Sequence, residues 1–288
     1  MSNNLNVLIV GTGPIGQEYA KILDKMNIKY SIVCRSFNST LHLKKISSNV
    51  YHGGVENFLK KNKSQFFSHA IIAVSVIDLS KITKIIIKSH IKNILVEKPC
   101  DFSVKRLENL YSIQKKEKKS VFIAYNRRFY SNVIYLKNNV FKNNKIESMT
   151  FDFTEWPEKF VNKYEKKILN NWLIINSSHV IDLAFYLAGN PKKLKAVKNG
   201  ELSWYKNSVF AGTGVTKKNI PFSYHANWDS AGRWKINLFN KEGKWILMPL
   251  EKIFFQKKNS LSSKELKIDN SNDIKFKPGF FLQVEAFL

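Results

Sequence analysis

The sequence predicts an α/β protein in two parts: a doubly wound parallel sheet at the N-terminal end, then an α+β domain with a large, mostly antiparallel sheet. Three observations carry this expectation. An apolar, β-branched run at residues 5–10 ends in Gly11-Thr12-Gly13-Pro14-Ile15-Gly16 and gives way to a helical pattern. A β/α rhythm then persists to about residue 125. Beyond it, β-patterned segments follow one another with few helices between them. The expected domains are therefore 1–125 and 126–288.

In chain order, strands are expected at 6–10, 29–34, 49–52, 69–74, 92–96 and 120–125, with helices at 14–26, 55–62, 78–89 and 103–118. Ala70-Ile71-Ile72-Ala73-Val74 and Ile94-Leu95-Val96 are apolar at every position, as parallel strands covered on both faces must be. Lys115-Lys116-Glu117-Lys118-Lys119 closes its helix, where cations complement the dipole. In the second part a helical stretch at 130–143 precedes strands at 146–156, 194–204, 207–216, 221–229, 233–240 and 243–249. Asn240-Lys241-Glu242-Gly243 reads as a hairpin turn. One helix, 178–188, is opened by Ser177-Ser178 and closed by Gly189-Asn190-Pro191. The Lys/Ser/Asn-rich stretch 256–275 reads as a mobile surface connection.

With 288 residues and 44% hydrophobic content the chain can bury a sizeable core. The start of the chain has no basic n-region, and the Ile-rich stretch 82–95 is interrupted by Lys84, Lys88, His90 and Lys92; neither a signal peptide nor a membrane span is expected. Two cysteines, Cys34 and Cys100, make no disulfide framework, which fits a cytoplasmic location. The formal charge of +25 comes from 47 basic residues, of which only Arg35, Arg106, Arg127, Arg128 and Arg233 are arginines. Nucleic-acid recognition favours arginine forks, whereas these lysines are scattered as solvated faces, so no nucleic-acid partner is expected. His42, His52, His69, His90 and His225 have no partners at metal-ligand spacing, and no metal site is expected. Trp172, Trp204, Trp228 and Trp234 suit sheet packing first and stacking on a sugar ring second.

The glycine turn carries the first chemical expectation. Gly11 permits the tight turn, Gly13 lets the backbone approach a phosphate, and Gly16 allows helix and strand to pack closely. With Pro14 and Ile15 they form a strand–turn–helix that receives a dinucleotide pyrophosphate. The second strand ends at Cys34-Arg35-Ser36, without the acidic residue that grips an adenine-ribose 2′-hydroxyl. A guanidinium and a hydroxyl can instead hydrogen-bond a 2′-phosphate, so Arg35 and Ser36 favour NADP(H) over NAD(H). The fifth strand ends in Glu97-Lys98-Pro99, at the sheet edge where open α/β folds bind ligands.

Taken together, the glycine turn, Glu97-Lys98-Pro99, Ala124-Tyr125-Asn126-Arg127-Arg128-Phe129 and Ser178-His179-Val180-Ile181-Asp182-Leu183 resemble the Gfo/Idh/MocA family of NAD(P)-dependent oxidoreductases. Residues 278–287 resemble that family's late helix, with the C-terminus short for the family. The resemblance implies a Rossmann domain followed by a sheet domain whose face carries substrate and often the subunit interface, hence a homo-oligomer. It implies hydride transfer between the dinucleotide and a hydroxyl or keto carbon of a sugar or nucleotide sugar, with surface-polysaccharide sugar biosynthesis as a setting. A catalytically silent dinucleotide-binding sensor or scaffold is the alternative. Lys98 and His179 are the expected catalytic residues: an ammonium that stabilises charge on the reacting oxygen, and an imidazole that exchanges its proton. Val74, Ser75, Glu97, Lys98 and Asn126 join the glycine turn, Arg35 and Ser36 as cofactor residues; Tyr125, Arg127 and Asn176, with Lys98 and His179, are expected at the substrate. Asp182, one turn along, either takes a direct part in catalysis or anchors its helix to the sheet, and Ile175 occupies the position where relatives often carry an Asp.

Overall fold

A computed structural model describes residues 5–38, 49–143 and 145–288. His42 therefore lies outside the described residues. The chain divides into two compact units, Met1–Tyr125 together with Phe280–Leu288, and Asn126–Gly279.

The first unit is a six-stranded, all-parallel sheet in the order β3-β2-β1-β4-β5-β6. Its strands are β1 (Asn6–Val10), β2 (Lys29–Val33), β3 (Val50–Tyr51), β4 (His69–Ile72), β5 (Asn93–Glu97) and β6 (Ser120–Ala124). The apolar runs are buried as their composition requires: Val7 to Val10, Ala70 to Ile72 and Ile94 to Val96 are all at or near zero exposure. The connecting helices are α1 (Pro14–Lys25), α2 (Val55–Lys61), α3 (Leu79–Ile87) and α4 (Val104–Lys116). Helix α1 shows why a sequence of this kind settles against a sheet: Gly16, Tyr19, Ala20, Ile22 and Leu23 make one buried stripe at helical spacing. The strand order reverses between β1 and β4, the point at which this topology opens a crevice beyond its strand ends.

The second unit contains an eight-stranded sheet, β14-β13-β12-β11-β7-β10-β9-β8, antiparallel except where β7 (Ser148–Asp152) and β10 (Pro221–Asn227) run parallel. The others are β8 (Pro191–Asn199), β9 (Val209–Thr216), β11 (Lys235–Asn240), β12 (Gly243–Leu247), β13 (Phe254–Lys257) and β14 (Lys264–Glu265). Helix α7 (Ser178–Ala188) joins its core through Val180, Leu183, Ala184 and Leu187. The expected hairpin forms as β11–β12, with the Asn240 side chain accepting from the backbone amides of Glu242 and Gly243.

Several expectations are corrected. The stretch 256–275 is not structureless: it contributes the end of β13, all of β14, and helix α8 (Ser271–Lys275). The helical stretch at 130–143 is broken into α5 (Ser131–Tyr135) and a π turn, Leu136–Val140. Residues 157–177, for which no element was expected, wind through short turns and α6 (Lys166–Leu169). The last helix, α9 (Phe280–Phe287), belongs to the first unit, so the domain expected over 126–288 loses its final residues. There Phe280 packs on the Tyr19 ring at 5.1 Å and Gln283 Nε2 donates to the Tyr19 hydroxyl at 3.0 Å.

Candidate active site

In the first unit the loops beyond β1, β2, β4 and β5 gather the expected cofactor residues at one edge of the sheet. Gly11 has φ +119°, and a Cβ on it would stand 2.2 Å from the Ala73 carbonyl oxygen. A Cβ on Gly16 would stand 2.3 Å from the Gly11 carbonyl oxygen. Both glycines are demanded by packing. Gly13 is different: nothing lies within 4 Å of where its Cβ would be, and the residue is exposed. It precedes Pro14 at the start of α1, whose first turn receives no side-chain cap, and Ile15 follows half-buried. An open glycine beside uncapped helical amides fits a dinucleotide pyrophosphate.

At the end of β2, the Cys34 thiol donates to the Ser36 carbonyl oxygen and shapes the turn that leaves Arg35 and Ser36 exposed. No acidic residue ends β2 itself, but Asp78, far along the chain, places Oδ2 3.2 Å from Arg35 Nη1. Asp78 sits there because its amide donates to the Ser75 carbonyl oxygen, closing the loop that starts at Val74. Glu97 ends β5 and accepts from the Tyr19 hydroxyl at 2.7 Å, which ties the strand end to α1. Burial, and after it the Glu97 charge, raises the Tyr19 phenol well above its ordinary range. Lys98 is the next residue, half-buried and joined to Pro99 by a cis peptide bond. Tyr125 follows β6, half-buried.

The second unit begins with the turn Asn126–Phe129. Asn126 is buried and its side-chain amide donates to the Pro278 carbonyl oxygen at 2.9 Å. The Arg128 guanidinium forms a two-pronged pair with the Asp182 carboxylate, so Asp182 anchors α7 to this turn. His179 is the second residue of α7, 7% exposed, with its ring centroid 6.1 Å from that of Trp234. Arg127 lies over the same Trp234, 4.7 Å from guanidinium carbon to ring centroid.

The residue that sequence reasoning missed is Glu155. It is 1% exposed and its carboxylate gathers four donors. Ser177 Oγ reaches it at 2.6 Å, Asn176 Nδ2 at 3.0 Å, Arg233 Nη1 at 3.2 Å and Trp234 Nε1 at 3.3 Å. Ser177 thus serves Glu155 instead of capping α7, and Asn176 is held by the same carboxylate. Burial pushes the Glu155 carboxyl above its ordinary range, against the pull of Ser177, Arg233, Asn176 and Trp234. A glutamate inside an otherwise β-patterned stretch was the signal available in the sequence. His179, Asn176 and Arg127 are thereby brought around one tryptophan and one buried carboxylate.

Among the remaining histidines, buried His69 is absorbed by packing: Nδ1 lies 2.9 Å from Ser68 Oγ, its ring meets Phe287 edge-on, and burial lowers its pKa. The tryptophans pack as expected, Trp204 stacked on Trp228 and Trp172 on Phe160.

The architecture so defined is a Rossmann-type doubly wound domain joined to a broad β-sheet domain. No family model matches the chain, and neither does any curated protein. Among solved structures, a dehydrogenase from Clostridium difficile superposes with a TM-score of 0.75 at 19% identity, over 99% of this chain and 92% of that one. Levoglucosan dehydrogenase in complex with NADH and levoglucosan gives 0.76 at 14% identity, over 99% and 88%. UDP-N-acetylglucosamine 3-dehydrogenase from Acidithiobacillus ferrooxidans gives 0.70 at 12% identity, over 98% and 89%. At these identities the likeness establishes the fold, and the fold is the one that the Gfo/Idh/MocA resemblance implies.

Proposed function

We propose that this protein is an NAD(P)-dependent oxidoreductase acting on a hydroxyl or keto carbon of a sugar or nucleotide sugar. The observation that carries the reading is the open Gly13 at an uncapped helix start, followed four strands later by Lys98 at the same edge of the sheet. Gly11, Gly13, Pro14, Ile15 and Gly16 would hold the pyrophosphate, with Val74, Ser75 and the β5 end beside it. The dinucleotide supplies a hydride acceptor or donor. Oxidation of an alcohol also releases the proton of its hydroxyl. In this reading the His179 imidazole takes that proton and the Lys98 ammonium hydrogen-bonds the oxygen as charge develops on it. Two of the structural neighbours, levoglucosan dehydrogenase and UDP-N-acetylglucosamine 3-dehydrogenase, are named for sugar substrates, which supports the sugar class.

Two finer readings belong with it. Arg35 and Ser36 favour NADP(H): in the Arg35–Asp78 pair the Arg35 side chain is 79% exposed, and pairs open on one side to water hold weakly enough for a phosphate to compete. The protein forms a homo-oligomer through the second unit's sheet, whose strand β8 is exposed along its whole length. Light scattering checks the latter. Both cysteines are free thiols, in keeping with a cytoplasmic enzyme.

The test is nicotinamide-dependent turnover over a sugar and nucleotide-sugar panel, with NADPH and NADH titrated side by side. Lys98→Ala is expected to cut turnover about 10²–10³-fold, the loss typical of a donor aimed at transition-state charge. Cofactor affinity should stay within about tenfold. His179→Ala should lower the rate and shift its pH dependence. Full activity in both variants overturns the site assignment; dinucleotide binding without turnover on any sugar identifies a silent sensor instead. Arg35→Ala with unchanged NADPH affinity overturns the cofactor preference.

A further inference from the structure

Trp234 sits in an alternating stack of cations and aromatic rings within the second unit. Lys159 Nζ lies 4.0 Å from the Trp156 ring centroid. The Arg233 guanidinium carbon lies 4.8 Å from Trp156 and 4.6 Å from Trp234. Arg127 then lies 4.7 Å from Trp234, whose ring also neighbours His179. Trp156 is fixed by its own hydrogen bond, Nε1 to the Gly232 carbonyl oxygen at 2.7 Å. Three cations are thus arrayed on two indoles.

Of the three, Arg233 alone pairs directly with a carboxylate, that of Glu155. Glu155 divides its two oxygens among four donors and acts on Arg127 only from a distance. Glu251, which acts on Arg127 at a distance, accepts a hydrogen bond from the Tyr130 hydroxyl at 3.1 Å. Arg127 itself is half-buried, and its Nε, fully shielded from solvent, has no hydrogen-bond partner among the described residues. A guanidinium cannot shed its charge at neutral pH, so a half-buried one whose carboxylates, Glu251 and Glu155, act only from a distance is costly to maintain. Cation–π contact recovers part of that cost, but it leaves the in-plane N–H groups available, and these match the geometry of a carboxylate or phosphate.

We propose that the stack is an oxyanion subsite: the sugar handled beside His179 bears a carboxylate or phosphate group, received by the in-plane donors of Arg127 and Arg233 with Lys159 at the rim. This deepens the oxidoreductase reading and rests on it, by narrowing the substrate from sugars in general to acidic ones. Uronates and sugar phosphates, free or within a nucleotide diphosphate, present the same oxyanion chemistry; a panel separates them.

The full-length protein is titrated calorimetrically with glucose, glucuronate, glucose 6-phosphate and UDP-glucose, with and without saturating NADPH. At least one acidic member should bind about tenfold or more tightly than glucose, the worth of one charged hydrogen bond, and its affinity should fall as salt is raised. Arg127→Gln should abolish that advantage. Lys159→Gln, a rim substitution, should reduce it a few-fold while leaving the melting temperature unchanged, which keeps the test valid if Arg127→Gln is poorly folded. Lys264→Gln, a charge change on β14, should leave it intact. Equal affinities for glucose and all three acidic ligands overturn the proposal, as does an anion preference that survives both Arg127→Gln and Lys159→Gln. So does a panel in which no acidic member binds at all. Absence of dinucleotide binding in the same titrations condemns the broader reading and leaves the anion comparison, made without NADPH, to stand or fall alone.

Discussion

At the scale of single residues, Glu155 is a buried carboxylate that holds four side chains of the second unit together. Its four donors come from Asn176, Ser177, Arg233 and Trp234, so removing it strands all four at once. Truncating one member of a buried pair typically costs about 3–5 kcal/mol; Arg233, a third exposed, recovers some hydration, so Glu155→Ala should cost about 3 kcal/mol. Urea unfolding followed by tryptophan fluorescence checks this, since Trp234 reports directly. A loss below about 1 kcal/mol, the value of an exposed pair, would show that the carboxylate is no anchor. Residue-level legibility in the sequence was uneven for a physical reason. Gly11, Gly16, Lys98 and His179 announce themselves through local motifs. Glu155 owes its importance to partners 21, 22, 78 and 79 positions away, which no local pattern encodes.

Among elements, the glycine turn separates folding from binding within six residues. Gly16→Ala drives a methyl group to 2.3 Å from the Gly11 carbonyl oxygen, where rigid backbone must move. Gly13→Ala meets nothing within 4 Å. The expected outcome is opposite in kind: Gly16→Ala lowers the melting temperature, whereas Gly13→Ala melts like the parent and loses dinucleotide affinity. Calorimetry and thermal melts on both variants decide it; a Gly13→Ala protein with parental affinity would falsify the cradle. The same contrast explains which elements could be read from sequence. The strands of the first sheet are apolar throughout and α1 keeps one buried stripe, so composition and period identify them. The turns of residues 157–177 and the two-residue β14 are shorter than any period and owe their form to tertiary contacts.

For the molecule as a whole, the decisive feature is the return of α9 to the first unit. Phe280, Gln283 and Val284 are buried, a spacing that marks one apolar face but not what it covers. That is why the sequence located the helix and misassigned its domain. Gln283, Tyr19 and Glu97 then form a continuous hydrogen-bonded line from α9 through α1 to the end of β5, the residue before Lys98. Deleting residues 280–288 should therefore lower the melting temperature and weaken dinucleotide binding together. Phe280→Ala alone should cost about 3–5 kcal/mol, as large-to-small changes at buried aromatics do. Calorimetric melts of both variants are the check, and parental stability in the deletion would separate α9 from the first unit.

The same feature sets an order of events during synthesis. A ribosome delivers residues 5–125 before the second unit, yet Phe280 and Gln283, which contact Tyr19 on α1, are made after it. Until then the Tyr19 ring, buried in the folded unit, lacks its Phe280 neighbour, and its hydroxyl lacks the Gln283 donor. On the growing chain the first unit thus waits for a helix that is made only after the whole of the second unit.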